Sequence, residues 1–228
     1  MRLVPILLLA AAPLAAQTTS AATAGGPAAA DPDKAAKGGV QVAGWTARLD
    51  RPAAKVQDLS FTRMGGGYHV TAGPAAVYYD GKTSASGAYT ASATFTQTKP
   101  AAHAEAYGLF VGGSDLAGAG QRYLYFIVRQ DGKYAVKHRA GAETHTLVDW
   151  TAHPAVKAVP EGGKATNALA IRATAADVRF VVNGTEVAKL DRAKAMDVDG
   201  QAGLRVNHNL DVHVDGFAVR PAGRTASR

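Results

Sequence analysis

Hydrophobic and polar residues alternate with a period of two along most of the chain beyond residue 44. In the stretch GAYTASATFT, Tyr89, Ala91 and Phe95 fall on one side of an extended strand, and mainly hydroxyl-bearing residues fall on the other. Glycine, Asp-Gly and Asn-Gly turns separate successive stretches of this kind. The pattern predicts strands at 44–49, 58–63, 67–71, 75–79, 87–96, 106–112, 122–129, 133–139, 144–149, 168–173, 177–183, 185–190, 202–207 and 211–219.

A helical period is sustained nowhere, and only residues 190–196 predict one or two helical turns. Many short strands without crossover helices indicate an antiparallel sandwich or barrel. No repeat of fixed period is present, which argues against a propeller or a solenoid. We therefore expect one all-β domain over residues 44–221.

The two ends of the chain lack this alternation. Residues 1–16 carry one positive charge, a short apolar run and small residues at its end, which is typical of a secretory signal peptide cleaved after Ala16. Residues 17–43 predict a disordered Ala/Gly/Pro-rich linker, and residues 222–228 a frayed tail. The chain contains no cysteine, so an exported form must rely on its core. We expect a periplasmic or secreted protein with no membrane span.

The hairpin from Arg122 to His145 can be drawn in two registers. A two-residue Asp-Gly turn would mix charged and apolar residues on one face, whereas a three-residue Gln-Asp-Gly turn gives one apolar face. The second register is therefore predicted. Its outer face carries the candidate ligand-binding residues Tyr123, Tyr125, Arg129, Lys137 and Arg139. Tyrosine rings can stack on sugars and cations can bind carboxylate or sulfate, although an ordinary solvated strand face has the same composition.

The turn after this hairpin places His138 opposite His145 and Val136 opposite Leu147. Both histidines are expected at the edge of the core, because their spacing with Glu143 and His153 matches no zinc signature. The segment Asp197-Val-Asp199-Gly begins like a calcium loop but lacks the later ligands. Asp197 and Asp199 are nevertheless kept as candidate Ca²⁺ ligands, and no other cofactor is expected.

The last strand, LDVHVDGFAV, changes phase in its middle. A bulge at Asp215-Gly216 would bring the apolar residues on both sides of it to the core. The opposite side then carries the polar cluster Asp211, His213 and Asp215, spaced closely enough for a proton relay or a metal site. The simpler interpretation is that Asp215 caps the bulge and that the other two residues are exposed. Glu105 with His103 forms a second candidate acid–base pair.

Four segments together resemble the concanavalin A-like lectin/glucanase jelly roll, in particular its laminin-G-like branch near the 3-keto-disaccharide hydrolase domain family. They are YGLFVGGSD at 107–115, YLYFIVRQDGKYAVKHR at 123–139, NALAIRATAADVRFVVNGTEV at 167–187 and GLRVNHNLDVHVDGFAV at 203–219. The resemblance implies two antiparallel sheets, one with a concave outer face that often holds carbohydrate. It carries over no catalytic residues, because the paired carboxylates of the glucanases and the Gln-x-His plus Tyr arrangement of jelly-roll lyases are both missing here.

Formal net charge is +7, and one less once Arg2 leaves with the signal peptide. A basic surface favours anionic partners, and nucleic acid is the least expected of these because export and the missing motifs both argue against it. The leading hypothesis is an exported, lectin-like domain that binds a glycan or anionic polysaccharide. Two alternatives stay open: a glycoside or 3-keto-disaccharide hydrolase with a carboxylate pair, and an adhesion module that docks through a basic face. The sequence does not fix the oligomeric state.

Overall fold

The computed structural model describes residues 37–222, which form sixteen strands, one helical turn and a short 3-10 turn at Val56–Asp58. The predicted signal peptide, most of the predicted linker and nearly all of the tail lie outside the described residues. The strands are β1 (Gly39–Val40), β2 (Trp45–Leu49), β3 (Ser60–Met64), β4 (Gly67–Ala72), β5 (Ala76–Asp80), β6 (Ser84–Ala85), β7 (Tyr89–Gln97), β8 (Ala106–Ser114), β9 (Arg122–Arg129), β10 (Lys133–Ala140), β11 (Glu143–Ala152), β12 (Ala165–Ala173), β13 (Asp177–Val182), β14 (Thr185–Asp191), β15 (Gly200–Val206) and β16 (Leu210–Pro221), and the helical turn α1 is Arg192–Ala195.

The strands form two sheets of eight. Sheet 1 has the order β1-β3-β4-β16-β7-β12-β13-β14, and sheet 2 has the order β11-β10-β9-β8-β15-β5-β2, with β6 beside β15. Every pairing is antiparallel except the short one between β1 and β3. The molecule is an all-β, two-sheet jelly-roll sandwich, as the alternation predicted.

The main core lies between the two sheets and follows the period of two. Phe95 and Leu169 from sheet 1 and Leu109 and Phe126 from sheet 2 are all at most 2% exposed and belong to one apolar cluster. Because side chains alternate along a strand, the same strands send their remaining residues to the outer faces of the sheets. Those two outer faces are where ligand contacts become possible.

The β9–β10 hairpin has the predicted three-residue turn. Val128 pairs with Tyr134 and Phe126 pairs with Val136, and Gly132 adopts a φ of 81° at the left-handed position. The expected pairing of His138 with His145 is also present. The expected pairing of Val136 with Leu147 is wrong, since irregularities in the β10–β11 ladder shift Val136 to Val148.

The ends of the sandwich differ slightly from the predicted boundaries. Gly39–Val40 already pairs with β3, and Val42 is 4% exposed, so residues 39–43 belong to the sandwich and not to the linker. In β16 the ladder shifts between Asp215 and Ala218, which confirms the predicted bulge. Within residues 37–222, no helix has the length and apolar character needed to cross a membrane.

Candidate functional site

The outer face of sheet 2 is the face on which the ligand-binding residues were predicted. Cross-strand pairs place Lys137 beside Tyr125 and Tyr125 beside Phe110, so their side chains share this face. We call it the aromatic–basic face. It is defined by Tyr79, Phe110, Tyr123, Tyr125, Trp150, Arg48, Arg129, Lys137, Arg139 and Arg205.

The tyrosines of this face are not open to solvent, contrary to the expected solvent-facing sheet of tyrosines. Tyr123 is 1% exposed and Tyr125 is 7% exposed, within a second apolar cluster separate from the main core. Ring centroids lie 6.4 Å apart from Tyr79 to Phe110, 5.4 Å from Phe110 to Tyr123 and 5.5 Å from Tyr123 to Tyr125. This burial raises the pKa of Tyr123 to about 12. The tyrosines therefore form a layer beneath the other side chains of the face.

Trp150 is one of three aromatic residues of this face that the sequence reasoning missed, with Tyr79 and Phe110. It is half-buried, packs against the second cluster, and lies 4.5 Å from the Arg129 guanidinium and 5.6 Å from the Lys137 ammonium, measured to its ring centroid. These are cation–π distances. The predicted strand ended at residue 149, whereas β11 extends to Ala152 and so includes Trp150.

Beneath the face, Arg205 and Asp50 form a buried ion pair. Two bonds of 2.5 Å join the guanidinium to the carboxylate, and Arg205 also donates to Asn207 Oδ1 at 3.1 Å and lies 5.5 Å from the Tyr125 ring. Burial alone would raise the pKa of Asp50, but the charge and hydrogen bonds of Arg205 outweigh it and lower this pKa below its usual value. The same pair raises the pKa of Arg205 despite its burial. This arginine is neutralised and fixed.

The remaining cations of the face differ in whether a carboxylate neutralises them. Arg129 makes a bidentate ion pair with Asp131, at 2.6 and 2.8 Å. Arg48, Lys137 and Arg139 form no ion pair within the described part of the chain. Arg139 instead donates to the carbonyl of Gly141 at 2.8 Å and to Thr144 Oγ1 at 3.3 Å. The face therefore presents positive charge that an anionic ligand could neutralise.

The histidine in contact with the Glu105 carboxylate is His208, whereas the sequence suggested His103 as its partner. The distance from His208 Nε2 to Glu105 Oε1 is 2.6 Å, and Asn207 donates to Glu105 Oε2 at 3.1 Å. These residues follow β15 and precede β8, at one end of sheet 2. A small cavity of about 110 Å³ adjoins them, lined by Asp50, Arg51, Pro74, Ala75 and His208.

The outer face of sheet 1 carries the predicted cluster of Asp211, His213 and Asp215, and the fold adds His69 to it. His69 lies directly across from His213 in the β4–β16 ladder, and their ring centroids are 6.1 Å apart. His69 Nε2 lies 3.1 Å from Asp211, and His213 Nε2 lies 3.2 Å from Asp215. We call these four residues the His–Asp cluster. His69 comes from a strand about 140 residues earlier in the chain, so no local spacing could have placed it here.

The two aspartates of this cluster do not form one acid–base pair. Each contacts a different histidine, and Asp211 also accepts from Thr98 Oγ1 at 2.5 Å and lies 3.6 Å from the Lys99 ammonium. Four residues along a strand span roughly 13 Å between Cα atoms. The paired carboxyls of glycosidases lie roughly 5–10 Å apart. The arrangement therefore favours hydrogen bonding over the hydrolase chemistry considered for Asp211 and Asp215.

The candidate calcium ligands are already engaged by other groups. Asp197 contacts His138 Nε2 at 2.5 Å and Arg122 at 2.8 Å. Asp199 accepts from Arg192 at 2.6 Å and from the backbone N–H of Gly87 at 2.9 Å. A calcium ion would have to displace these partners. Among residues 37–222, no group of three or more His, Cys, Asp or Glu side chains is arranged to hold a metal ion.

Comparison with solved structures identifies the fold. The carbohydrate-binding module CBM66 from Bacillus subtilis superposes with a TM-score of 0.57 at 11% identity, over 78% of this chain and 95% of the module. The chain has the concanavalin A-like jelly-roll fold. Alginate lyase A1-II′, a member of polysaccharide lyase family 7, superposes with a TM-score of 0.52 at 12% identity, over 84% of this chain and 99% of the enzyme. No family model and no curated protein matches the chain.

Proposed function

We propose that this jelly roll is an exported carbohydrate-binding domain that holds an acidic glycan on its aromatic–basic face. The observation that carries the proposal is the position of Lys137 and Arg139. Both are half-buried, neither forms an ion pair with a carboxylate in the described part of the chain, and both lie on the face that Trp150 borders. The charge of Arg139 helps to lower the pKa of Asp50, but the Asp50 carboxylate is bound to Arg205. Cations held this way gain an ion pair when a uronate or sulfate group binds.

Each group on the face has a distinct part in this binding. Arg129 and Lys137 lie over the Trp150 ring, so its partly exposed edge is the part that can contact a sugar. Arg139 can bind a carboxylate with two parallel N–H groups. The buried tyrosine layer and the Arg205–Asp50 pair hold the face in place without contacting the ligand. The net positive charge of the chain also favours encounter with a polyanion.

Two kinds of observation support a glycan over other anions. The first is the fold itself, since the superposed structures are named as a carbohydrate-binding module and an alginate lyase. The second is the combination of an aromatic ring with unpaired cations, because a sugar acid has both an apolar ring face and a charge. The amino-terminal pattern of residues 1–16 supports export, and mass spectrometry of the mature amino terminus from a fractionated host tests it.

Titration calorimetry with defined oligosaccharides tests the proposal. Oligoalginate and oligogalacturonate are expected to bind, and uncharged dextran oligomers are expected to bind this face much more weakly. Arg139→Gln and Lys137→Gln should each weaken binding by roughly ten- to a hundredfold, because a charge-assisted hydrogen bond contributes about 1.5–3 kcal/mol. Binding should also weaken as salt is raised.

Lys189→Gln is the matched control, since Lys189 is an exposed cation on the edge strand β14 of the other sheet. It should leave the affinity unchanged. An equal loss of affinity in Lys189→Gln would show that the effect comes from net charge alone. Failure of the wild-type domain to bind any acidic oligosaccharide would remove the proposal.

A hydrolase remains the second candidate, and one observation favours it. Glu105 and His208 contact each other at 2.6 Å beside a cavity at the end of the same sheet. A carboxyl and an imidazole at this distance can exchange a proton. Release of reducing sugar from a glycoside panel, abolished in Glu105→Gln, would establish hydrolysis, and no release from any glycoside would exclude this candidate.

A further inference from the structure

We propose a second glycan site, a trough across the outer face of sheet 1 that takes an uncharged, hydroxyl-rich chain. It lies on the sheet opposite the aromatic–basic face and does not depend on the function proposed above. The geometry that points to it is a pair of adjoining open depressions on one outer strand face, lined by hydroxyl-bearing and small apolar side chains. The two volumes are about 290 and 710 Å³.

The two cavities meet along β7 and β16. Thr94 lines the smaller cavity and Thr96 the larger, and these two side chains are neighbours on the same face of β7. In the same way, Gly216 lines the smaller cavity and Asp215 the larger. The outward residues from Ser92 in β7 to Thr98, just after the end of β7, span roughly 20 Å. The cavities thus form one trough that is long enough for several sugar units.

Small residues explain why the outer face of sheet 1 is recessed at the trough. Ala168 and Ala170 of β12 lie opposite Thr94 and Ser92, and all four have short side chains. Gly216, in the bulge of β16, adds no side chain at all and adopts a φ of 62°. Bulkier residues rise on both sides, with Arg172 and Val181 at one end. Met64, His69 and His213 line the other end.

The floor and walls of the trough offer hydrogen bonds suited to hydroxyl groups. Thr96 and Thr166 hydroxyls are 2.8 Å apart, so one of them donates and the other keeps its proton for a ligand. The Asp215 side chain is 54% exposed, and its partner among the described residues is His213, through one carboxylate oxygen. The other oxygen can accept from a sugar hydroxyl. Asp211, in contrast, is held by His69, Thr98 and Lys99.

The position of Asp215, and not the net charge of the lining, favours an uncharged chain, because Arg172 and Lys164 also line the trough. Asp215 lies where the two cavities meet, so a polyanion lying along the trough would bring its own carboxylates against this one. The cations Arg172 and Lys164 line the two separate ends instead. The two outer faces of the sandwich therefore differ in the glycans they suit. The domain would be bivalent, with an acidic-glycan face and a neutral-glycan face.

Binding of neutral β-glucan oligomers, such as cellohexaose, to the full chain tests this site. Ala168 is exposed, so Ala168→Trp fills the trough without disturbing the core. We expect it to weaken cellohexaose binding at least tenfold, and Asp215→Ala to weaken it several-fold. Backbone amide NMR shifts on cellohexaose addition should map to β7, β12 and β16.

Lys189→Gln, at an exposed cation of β14 that lines neither cavity, is the matched control and should leave cellohexaose affinity unchanged. Ala168→Trp, in turn, should leave binding of acidic oligosaccharides unchanged, so the two sites can fail independently. The site is refuted if neutral oligomers do not bind, if a folded Ala168→Trp variant binds them as well as the wild type, or if the NMR shifts map to sheet 2.

Discussion

Removal of the Asp50 carboxylate should destabilise the domain more than removal of any exposed carboxylate. In Asp50→Ala the guanidinium of Arg205 keeps its charge but loses both of its 2.5 Å bonds. The Arg205 side chain is 7% exposed, so water replaces little of what is lost. Breaking a buried pair from one side typically costs about 3–5 kcal/mol. Because the Asp50 side chain is 26% exposed and Asn207 still accepts from Arg205, we expect the lower end, about 3 kcal/mol.

Urea denaturation measures this loss. With a slope of about 2 kcal/mol per molar urea, the unfolding midpoint of Asp50→Ala should fall by about 1.5 M. The double variant Asp50→Ala/Arg205→Met removes the buried charge as well, and it should recover a substantial part of the loss. Asp191→Ala is the matched control, because Asp191 is 68% exposed and its ion pair with Lys194 lies on the surface. That control should shift the midpoint by no more than about 0.5 M.

The stability that the Asp50 carboxylate contributes should also depend on pH. The folded state lowers the pKa of Asp50 below its ordinary value of 3.8. A group with a lowered folded pKa contributes stability that is present above the unfolded pKa and is lost as pH falls through the folded value. The difference between wild type and Asp50→Ala should therefore be full at pH 7 and shrink as pH falls below 3.8. An Asp50→Ala midpoint equal to that of the wild type at pH 7 would refute the structural role of the pair.

Three further predictions concern the loops and the core. Gly112→Ala should prevent folding or lower the free energy of unfolding by more than about 4 kcal/mol, because a Cβ there would overlap the carbonyl of Asp197. Gly65→Ala is the control, because Gly65 is also at positive φ but faces open space, and it should lower that free energy by about 1–2 kcal/mol. Urea denaturation measures both. His138→Leu should lower the thermal midpoint by several degrees, since it removes the buried partner of Asp197; an unchanged midpoint would contradict this. Asn167→Leu should cost about 2–4 kcal/mol, since buried Asn167 bonds four polar groups, and full stability in this variant would show those bonds to be dispensable.

The core face of the sandwich could be predicted because it depends on local alternation. The period of two shows which side of each strand faces the core, and each glycine turn sets the pairing register of the two strands it joins. The β9–β10 hairpin shows this well, because only one turn length gave it a single apolar face. The shift from Leu147 to Val148 could not be predicted, since a bulge adds one residue without a signal in composition.

The outer faces could not be predicted in the same way. Tyr123 and Tyr125 looked like solvent-facing residues because their strand neighbours Lys137 and Arg139 are charged. Their burial comes from Phe110 on one adjacent strand and from more distant positions along the chain. Likewise, the histidine beside Asp211 is contributed by β4 and the histidine beside Glu105 by the turn after β15. The topology of the sheets decides which strands become neighbours, and the spacing of residues along the sequence does not predict it.

Because sheet 2 is buried on both faces, only some of its side chains can contact a ligand. A tyrosine that is 1% exposed cannot stack on a sugar, so ligand contact falls to the side chains that project beyond the tyrosine layer. Those without an ion pair to a carboxylate are Arg48, Lys137 and Arg139, because Arg129 and Arg205 are already paired. The rings beneath them are packed against one another, which holds the cations on a rigid base. A rigid base lowers the entropy that binding must overcome. The buried tyrosines thus matter for binding through preorganisation, and substitutions there should affect stability before they affect ligand specificity.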